Sequence, residues 1–563
     1  MLQAQQRDQP YVIYPAQRFL KMSDEFKNQG TVEVTELPSL ENNLITPTDG
    51  RIDPNSGLRR GLKTRHVTLM ALGGIIGPGS VVTAGVLLHN GGPAALVLDY
   101  GIVGILAFSL MQSIGELNVL YPATNGFSNH MSRFVDKAFA TMTSYNYLIL
   151  WITCLASEYN SVCSTLQSWA PQIPMYGYFL IFWTYFTVFQ FLGVATYGEA
   201  EFWLALFKIV MFIAFYFFVL VYMCGGIPNR PAFGFHNFNE PWGDNEPIKS
   251  IATVLTGVST AYVGVELLSL NAAETKEPQK AIPIAIRQTV IRILFIFIGL
   301  SLSYGISVPY DSPEFVESTG ALRAPMYIAL KNAGWADGRH LVNSFIVIIA
   351  FSSVNSAIYI GTRTIVNMAN EDMLPFSKFF ARTNSKGVPY VAAIAFNLTG
   401  FIALMNLGTG ASTAFTYLVN VSGVSTFFVW AAISFTQMRF RRGWIRSGRS
   451  VDDLPYKCWL YPYVPIFSVF FNIFFAFIQG WTYLKPFDYK NFVDCYIMFP
   501  VSFICFFVYK YWKNTTWVKY EDMDLDSGRR LDLEDIAKQA KQEHQLEEKT
   551  FKNKVKTMFS DWL

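Results

Sequence analysis

The chain has 563 residues, of which 52% are hydrophobic and 15% are Asp, Glu, Lys or Arg, whereas charged residues make up about 25% of an average soluble protein. A formal net charge of +3 excludes the strongly basic surface of a nucleic-acid-binding protein, and the high apolar content excludes disorder of the whole chain. Residues 1–65 and 513–563 carry 38 of the 85 charged side chains. The remaining 447 residues are too apolar for a series of soluble domains and are predicted to lie in a membrane.

Twelve apolar segments follow one another between residues 66 and 512, and each can cross a hydrocarbon core of about 30 Å as a helix. The sequence therefore predicts an all-α polytopic membrane protein with twelve transmembrane helices. Its predicted domains are a flexible N-terminal tail (1–65), a twelve-helix domain (66–512) and a C-terminal tail (513–563). The predicted spans are 67–89, 94–117, 138–166, 176–195, 202–224, 251–271, 289–308, 340–366, 389–406, 414–437, 460–481 and 493–512.

The distribution of Lys and Arg among the loops predicts the orientation in the membrane. With the N-terminus inside, the cytoplasmic loops and flanks carry 22 of these residues and the opposite loops carry 7. Both termini are therefore predicted to be cytoplasmic, and the plasma membrane is the expected location. Glu116, Arg363 and Arg441 are interpreted as charges at the cytoplasmic membrane surface, whereas Glu199 and Glu201 are assigned to the loop at 196–201.

A cluster of glycines interrupts the first predicted span, because residues 72–80 have the sequence LGGIIGPGS. Pro78 lacks a backbone donor and blocks the preceding helical turn, while the glycines adopt non-helical dihedrals at little steric cost. Unwound backbone at membrane depth requires a cavity or a covering protein partner, so the cluster indicates a binding site. A surface of small residues for close helix packing is the alternative interpretation.

A second interruption lies in the sixth predicted span, where residues 257–266 have the sequence GVSTAYVGVE. It occupies the position that matches the first interruption if the first ten spans form two repeats of five. Such paired interruptions indicate the midplane site of an inverted-repeat transporter. Helix N-termini bind anions through free amides, and unwound carbonyls bind cations. The pattern therefore favours a small zwitterionic solute such as an amino acid.

Five motifs in chain order resemble the fungal amino acid permeases of the amino acid–polyamine–organocation superfamily, and the resemblance covers about residues 58–512. Three of the motifs lie in or beside the first, fifth and sixth predicted spans. Of the other two, one lies at the end of the second span and just after it, and one lies in the second half of the eighth span. They are residues 72–79 with 91–93 (GGP), 115–116 (GE) with 121–127, 198–203 (GEAEFW) with Lys208, 262–266 (YVGVE) with Glu274, Pro278, Lys280, Ala281 and Pro283, and 353–356 (SVNS) through Tyr359 to Arg363.

The resemblance implies a LeuT-type fold, in which ten helices form two inverted repeats of five, two further helices follow, and the first and sixth helices are unwound. It implies that the chain imports amino acids together with protons. Amides of the first break would bind the substrate carboxylate, and carbonyls of both breaks would face its ammonium group. The amide donors carried over are Gly77, Gly79 and Ser80, the carbonyls are those of Ile75 and Tyr262, and Gly264 completes the predicted substrate-binding set.

One departure from the family pattern affects this set. Many relatives have Thr where Pro78 stands in this sequence. Proline has no backbone N–H, so one potential donor to the substrate carboxylate is missing.

Three charged side chains are predicted to lie inside the bilayer, where a charge costs about 2.5–3.5 kcal/mol on insertion scales. Glu266 is interpreted as a proton-accepting carboxylate, with a static ion pair or the capping of unwound backbone as alternatives. Lys208 resembles the family's fifth-span lysine, which takes the place of a bound sodium between the first and eighth spans. Glu158 is a third candidate for proton coupling, with a substrate contact, a gate or a helix-packing hydrogen bond as alternatives.

A polar cluster in the eighth predicted span consists of Ser352, Ser353 and Asn355. A sodium-coupled carrier would place ion ligands at this position. Lys208 would supply a fixed cation there or one end of a proton relay, so the resemblance favours proton coupling over sodium coupling.

The predicted function is proton-coupled import of amino acids across the plasma membrane, and the alternative is a permease-like nutrient sensor that signals with little or no transport. An enzyme is not expected, since no nucleophile–base constellation is recognisable. No cofactor or metal is expected either, because the six cysteines form no CxxC pair. The predicted partners are an amino acid, a proton and the lipid bilayer, with no nucleic acid. Ubiquitination and trafficking factors are expected on the cytoplasmic tails, at lysines such as Lys21 and Lys27, and residues 531–558 are a candidate amphipathic helix.

Overall fold

Helices and turns form the whole described part of the protein, and no sheet occurs in it. This agrees with the all-α prediction. Ile75, both lysines named in the N-terminal tail and the candidate amphipathic helix at 531–558 lie outside the described residues. In the computed structural model, the described residues are 62, 64–70, 76–122, 126–243, 245–275, 278–318, 320–384, 387–407, 409–484, 486–527 and 529.

The α-helices are numbered here in chain order along the described residues. Between them lie short 3₁₀ turns, of which Pro78–Ser80 is the one that concerns the functional site, and a π-helical segment, Arg292–Ile298, connects two of them. The helices are α1 (Thr64–Leu69), α2 (Thr83–Leu120), α3 (Gly126–Phe134), α4 (Lys137–Trp169), α5 (Met175–Gln190), α6 (Val194–Met223), α7 (Pro247–Ala261), α8 (Leu267–Asn271), α9 (Pro278–Ile291), α10 (Gly299–Ser307), α11 (Glu314–Glu317), α12 (Pro325–Asn332), α13 (Gly338–Asn370), α14 (Ser377–Phe380), α15 (Tyr390–Leu398), α16 (Thr409–Arg446), α17 (Tyr463–Ile478), α18 (Tyr489–Tyr496) and α19 (Met498–Lys513).

Six helical stretches among the described residues are long and apolar enough to cross a membrane. Many of the large apolar side chains on α5, α6, α17 and α19 are exposed, for example Val188, Phe217 and Phe470. Exposed apolar faces of this extent fit contact with lipid better than contact with water. The six stretches are Pro78–Leu120, Val194–Met223, Ala281–Ser307, Gly338–Asn370, Tyr390–Leu407 and Tyr489–Lys513.

Helix α2 contains a sharp bend that divides it into two segments. Gly92 has φ of 79° and ψ of 171°, and a Cβ at this position would lie 2.5 Å from the backbone nitrogen of Gly243. Only glycine tolerates this combination of positive φ and close backbone approach. Pro93 follows with a fixed φ that suits the first turn of a helix. The two segments correspond to the end of the first predicted span and to the second.

The helices that carry the site pack closely around α4 and α13. The contact between these two helices is the most extensive in the protein, and that between α2 and α7 is the next. Two interrupted regions lie within this bundle, and we name them after the spans in which they were predicted. The first break comprises residues 76–80, and the second break comprises residues 262–266, between α7 and α8.

Helix α6 begins earlier than the sequence predicts, and this changes the assignment of two glutamates. Gly193 has φ of 94° and the helix starts at Val194, so Glu199 and Glu201 are helical residues and not loop residues. Glu201 is fully buried, whereas the Glu199 side chain is 42% exposed and pairs with Arg65 and His66. The loop assignment was wrong because a carboxylate was taken as a sign of the membrane surface.

Three further charges predicted at the membrane surface are buried in ion pairs. Glu116 is fully buried and accepts a hydrogen bond from Arg441 Nε at 2.7 Å, and Arg363 Nε donates to Glu274 at 2.8 Å. The surface interpretation of Glu116, Arg363 and Arg441 was therefore wrong. Two opposite charges that share hydrogen bonds tolerate burial that either charge alone does not.

The first part of the C-terminal tail packs against helix ends. Tyr121 Oη donates a hydrogen bond to the carbonyl of Leu525 at 2.8 Å, and Leu525 itself is buried. Two hydrogen bonds from the Arg449 guanidinium, at 2.8 and 2.7 Å, hold the pKa of the Asp526 carboxyl below its usual range. The described part of the tail is thus attached to the helical domain by side-chain contacts.

Candidate functional site

A cavity of about 340 Å³ lies beside the first break, which is a suitable size for a small solute. Its wall includes four consecutive residues of the first break, together with residues of α4, α7 and α13. The cavity is also lined by residues that follow α17 or lie on α18. They are Gln479, Tyr483, Asn491, Asp494 and Cys495. The charged residues of the lining are both acidic, Glu158 and Asp494.

The first break places three predicted residues on the cavity wall: Gly77, Gly79 and Ser80. The amides of Gly77 and Gly79 have no acceptor among the described residues. The Ser80 amide instead donates to the carbonyl of Gly77 at 3.2 Å, and so does its hydroxyl at 2.8 Å. Within the described residues, two of the three predicted amide donors are therefore left for an anionic group, as is typical at the start of a helix.

Glu158 of α4 lies directly opposite Gly77. A Cβ added to Gly77 would be 2.7 Å from Glu158 Oε1 and 3.3 Å from Ser353 Oγ. A larger residue at position 77 would displace the Glu158 carboxylate, although the backbone φ of −92° suits any residue. Glu158 Oε2 is buried and has no hydrogen-bond partner among the described residues. A carboxylate in this position can attract the ammonium group of a solute or hold a proton.

Lys208 of α6 connects the first break to α13. Its Nζ donates to the carbonyl of Ile76 at 3.2 Å and to Ser352 Oγ at 2.8 Å, and Ser353 Oγ donates to the same carbonyl at 3.3 Å. Lys208 is fully buried. Its ammonium thus lies between the first break and the polar cluster of α13, the location expected of a cation that replaces sodium.

A carboxylate that the sequence analysis missed completes this cluster. Glu201 Oε2 accepts a hydrogen bond from Ser352 Oγ at 2.6 Å, and its Oε1 accepts one from Asn355 Nδ2 at 3.0 Å. Glu201 and Lys208 are separated by about two helical turns and therefore lie on one face of α6. That spacing was visible in the sequence, and it was overlooked because Glu201 had been assigned to a loop.

In the second break, polar groups of Tyr262 and Gly264 form hydrogen bonds within the protein. Tyr262 Oη donates to the carbonyl of Tyr100 at 2.6 Å, and the Tyr262 carbonyl accepts from the amide of Val265 at 3.3 Å. Gly264 has φ of 97°, and its amide donates to Glu266 Oε1 at 3.1 Å. Ala261 and Val263 line the cavity, but Tyr262 and Gly264 do not.

Glu266 is buried and is held by groups of the protein. Besides the Gly264 amide, it accepts a hydrogen bond from Trp430 Nε1 of α16 at 3.1 Å. It is absent from the lining of the cavity. These contacts match the alternative in which the carboxylate caps unwound backbone.

Comparison with known proteins identifies the family. Residues 66–521 match the family described as "Amino acid permease". The general amino acid permease AGP3 of Saccharomyces cerevisiae is 47% identical over 493 residues, which cover 87% of this chain and 88% of that one. An uncharacterized amino-acid permease of Schizosaccharomyces pombe is 44% identical over 510 residues, covering 90% and 91% of the two chains. The chain belongs to the amino acid permease family.

More distant relatives and solved structures extend this finding. The general amino-acid permease GAP1 of Saccharomyces cerevisiae is 31% identical to this permease over 533 residues, covering 92% of the permease and 87% of GAP1. Two crystal structures of the Eremococcus coleocola manganese transporter match the permease with a TM-score of 0.50 at 13% identity. They cover 79% and 85% of the permease, and 92% and 95% of the transporter chains. This likeness concerns the fold alone.

The family assignment agrees with the predicted class of protein. The permease is an integral membrane protein and a transporter, and it is not an enzyme. Some of the motif residues that carried the resemblance lie in the first break, in the second break and in the cluster of Glu201, Lys208 and Asn355.

Proposed function

We propose that the permease imports amino acids together with protons across the plasma membrane. The observation that carries this proposal is the cavity at the first break, whose wall includes Gly77, Gly79 and Glu158. Among the described residues, the amides of the two glycines have no acceptor. The amides complement a substrate carboxylate, and the acidic group complements a substrate ammonium. Two relatives whose names describe general amino acid permeases support the substrate class.

The proposed architecture is a LeuT-type fold of twelve transmembrane helices. The first break interrupts the first helix of one five-helix repeat, and the second break interrupts the first helix of the next. The matched positions of the two breaks and the likeness to a transporter fold support this arrangement. The excess of Lys and Arg in alternate loops supports cytoplasmic termini.

The proposed coupling ion is the proton, and the proposed coupling residues are Lys208 and Glu158. Lys208 provides an ammonium group that bonds the first break to α13, so a bound sodium would be repelled from this position while Lys208 is charged. Glu158 faces the cavity and interacts electrostatically with Lys208. The contacts of Glu266 favour the capping role over a role in proton transfer.

Uptake of radiolabelled amino acids tests the proposal directly. Cells that lack their own permeases would express this one and receive L-alanine, L-leucine, L-lysine or L-glutamate at external pH 5 and pH 7. We expect concentrative uptake of at least one of these, faster at the lower pH and abolished by a protonophore. An uptake rate that changes neither with external pH nor on addition of the protonophore would contradict proton coupling. Absence of uptake of the whole panel, with normal surface expression, would favour the sensor.

Glu158→Gln examines the cavity carboxylate, with Glu314→Gln as the matched control. Glu314 lies outside the cavity and pairs with Lys331 at 2.5 Å. We expect Glu158→Gln to lose the pH dependence of uptake and most of its rate, whereas Glu314→Gln stays within about twofold of the original protein, as for other exposed pairs. Equal pH dependence in the two variants would remove Glu158 from the coupling mechanism.

A further inference from the structure

The carboxylate of Glu201 is a buried charge to which the proposed function assigns no role. It is fully buried on α6 and lies outside the cavity lining. Both of its oxygens accept hydrogen bonds from α13, one from Ser352 and one from Asn355. Gln190 Nε2 of α5 donates to Asn355 Oδ1 at 3.1 Å, which orients the Asn355 amide towards the carboxylate.

A continuous pair of hydrogen bonds connects Glu201 to Lys208. Lys208 Nζ donates to Ser352 Oγ at 2.8 Å, and the same Ser352 hydroxyl donates to Glu201 Oε2 at 2.6 Å. A hydroxyl that accepts on one side and donates on the other can pass a proton between the two groups. Both distances lie within the normal range for hydrogen bonds to charged groups.

We propose that Glu201 is the proton acceptor of Lys208, reached through the Ser352 hydroxyl, on the path by which the coupled proton leaves the substrate cavity. This inference rests on the proposed function, because it assigns a step of proton-coupled import. It makes Glu201 a second proton-holding group beyond Lys208, on the side away from the cavity.

The step balances without any external reactant. One N–H bond of the Lys208 ammonium breaks as its proton bonds to Ser352 Oγ, while the original Ser352 O–H bond breaks and that proton bonds to Glu201 Oε2. An ammonium–carboxylate pair becomes an amine and a carboxylic acid, and the net charge of the cluster stays the same. The proton on Glu201 then passes to water when the inner side of the protein opens, and Lys208 regains a proton from the cavity side.

Polar side chains continue from Glu201 in the same direction. Tyr197 lies about one turn before Glu201 on α6, and its hydroxyl is 3.3 Å from Ser356 Oγ. Further along α13, Tyr359 Oη donates to Glu274 Oε2 at 2.9 Å, and Arg363 binds the same carboxylate. The series leads towards the start of α6, which the distribution of Lys and Arg assigns to the cytoplasmic side.

Several titratable groups face this pair and set its response to pH. Lys208 and Tyr197 interact electrostatically with Glu201 from the same helix. Glu158 of α4 and Arg292, which follows α9, interact with Lys208. From α13 the groups in contact with Glu201 are the uncharged Ser352 and Asn355.

Transport by the purified full-length permease in liposomes separates coupling from binding. The substrate is the best-transported radiolabelled member of the panel L-alanine, L-leucine, L-lysine and L-glutamate. One assay measures exchange of internal for external substrate without a pH gradient, and the other measures accumulation driven by an inward gradient of one pH unit. One proton per substrate supports accumulation of about tenfold under this gradient. Failure of the original protein to accumulate would refute the proposed function itself and this step with it.

Glu201→Gln keeps the size of the side chain and one acceptor oxygen, but it cannot accept the proton. We expect its exchange to remain within about threefold of the original protein and its accumulation to disappear. Accumulation at the original level would overturn the proposal. Loss of exchange as well as accumulation would also overturn it, because Glu201 would then be needed for the structure of the carrier. Glu199→Gln is the matched control two residues away on α6, and it is expected to accumulate normally.

Ser352 variants test the path between the two charged groups. Ser352→Ala removes the bridging hydroxyl, whereas Ser352→Thr retains one. We expect gradient-driven uptake to be at least about tenfold slower in the alanine variant than in the threonine variant. This factor is smaller than the rate gain that positioned acids and bases usually give. Exchange should be similar in the two. Equal gradient-driven rates would exclude the path through Ser352.

Discussion

The two breaks of the permease look alike in sequence, yet they use their free backbone groups in different ways. The first break presents the amides of Gly77 and Gly79 to the cavity and its Ile76 carbonyl to Lys208. The second break directs the Gly264 amide to Glu266, and Trp430 covers the other oxygen of that carboxylate. One break is therefore open to a ligand, and the other is largely satisfied by the protein.

This difference shows that unwound backbone by itself does not identify a binding surface. Each unpaired amide or carbonyl at membrane depth needs a partner. In the second break a side chain two residues from Gly264 supplies that partner. In the first break a partner comes from α6, far away in sequence, and the amides of Gly77 and Gly79 have no acceptor among the described residues. The variants below each change one of the two breaks. Their transport activity tests whether the roles of the two breaks differ as the contacts indicate.

Lys208→Met is expected to have the largest effect. Removing one member of a buried charge pair costs about 3–5 kcal/mol, and here it also removes the cation that bonds the Ile76 carbonyl of the first break. Uptake should fall by at least about a hundredfold when it is normalised to protein at the cell surface. Lys331→Met, in an exposed ion pair, is the control and should stay within about twofold. Normal concentrative uptake by Lys208→Met would show that the first break does not depend on this cation.

Gly77→Ala is expected to be the next most damaging change. The new Cβ would stand 2.7 Å from Glu158 Oε1, so the carboxylate or the break must shift. Overpacking of this kind costs about 1–3 kcal/mol, which corresponds to about 5–150-fold in apparent affinity. The concentration dependence of uptake measures this as a raised KM. Gly101→Ala is a suitable control, since a Cβ there meets nothing within 4 Å. Equal KM values for the two variants would mean that Gly77 does not border the substrate.

Glu266→Gln is expected to have a moderate effect, because Gln retains an oxygen for the Gly264 amide and loses the charge and the acceptor for Trp430 Nε1. Hydrogen bonds to charged groups are stronger than neutral ones by about 1 kcal/mol. Uptake should decline by less than about tenfold, and accumulation driven by a pH gradient should persist. If accumulation disappears while exchange continues, Glu266 acts in proton coupling and the second break is more than a structural element.

Trp430→Phe is expected to have the smallest effect on transport. It removes the indole N–H that donates to Glu266, which should lower stability by about 1.5–3 kcal/mol while uptake stays within about twofold. Thermal unfolding of the detergent-solubilised permease, followed by size-exclusion chromatography, reports the change as a lower Tm. Trp459→Phe, at an exposed position, should leave Tm nearly unchanged. A strong loss of uptake without loss of stability in Trp430→Phe would place the second break in the transport step.

Features that depend on local composition were predictable. The apolar segments, their order and the two glycine-containing interruptions follow from residues that are adjacent in the chain. The predicted interruption between residues 257 and 266 corresponds to the observed turn at 262–266. The location of Lys208 within a membrane helix was also predictable, since a single charge stands out in an apolar segment.

Features that depend on contacts between distant segments were decided only by the tertiary structure. Glu201 was taken for a loop residue because its partners, Ser352 and Asn355, are about 150 positions away in the chain. Glu116 and Arg363 were misjudged for the same reason, as their partners lie on other helices. A charge is tolerated in the membrane when an opposite charge or several hydrogen-bond donors surround it. The sequence by itself therefore determined where helices form and break, and the packing of α4, α6 and α13 determined which buried charges come together near the first break.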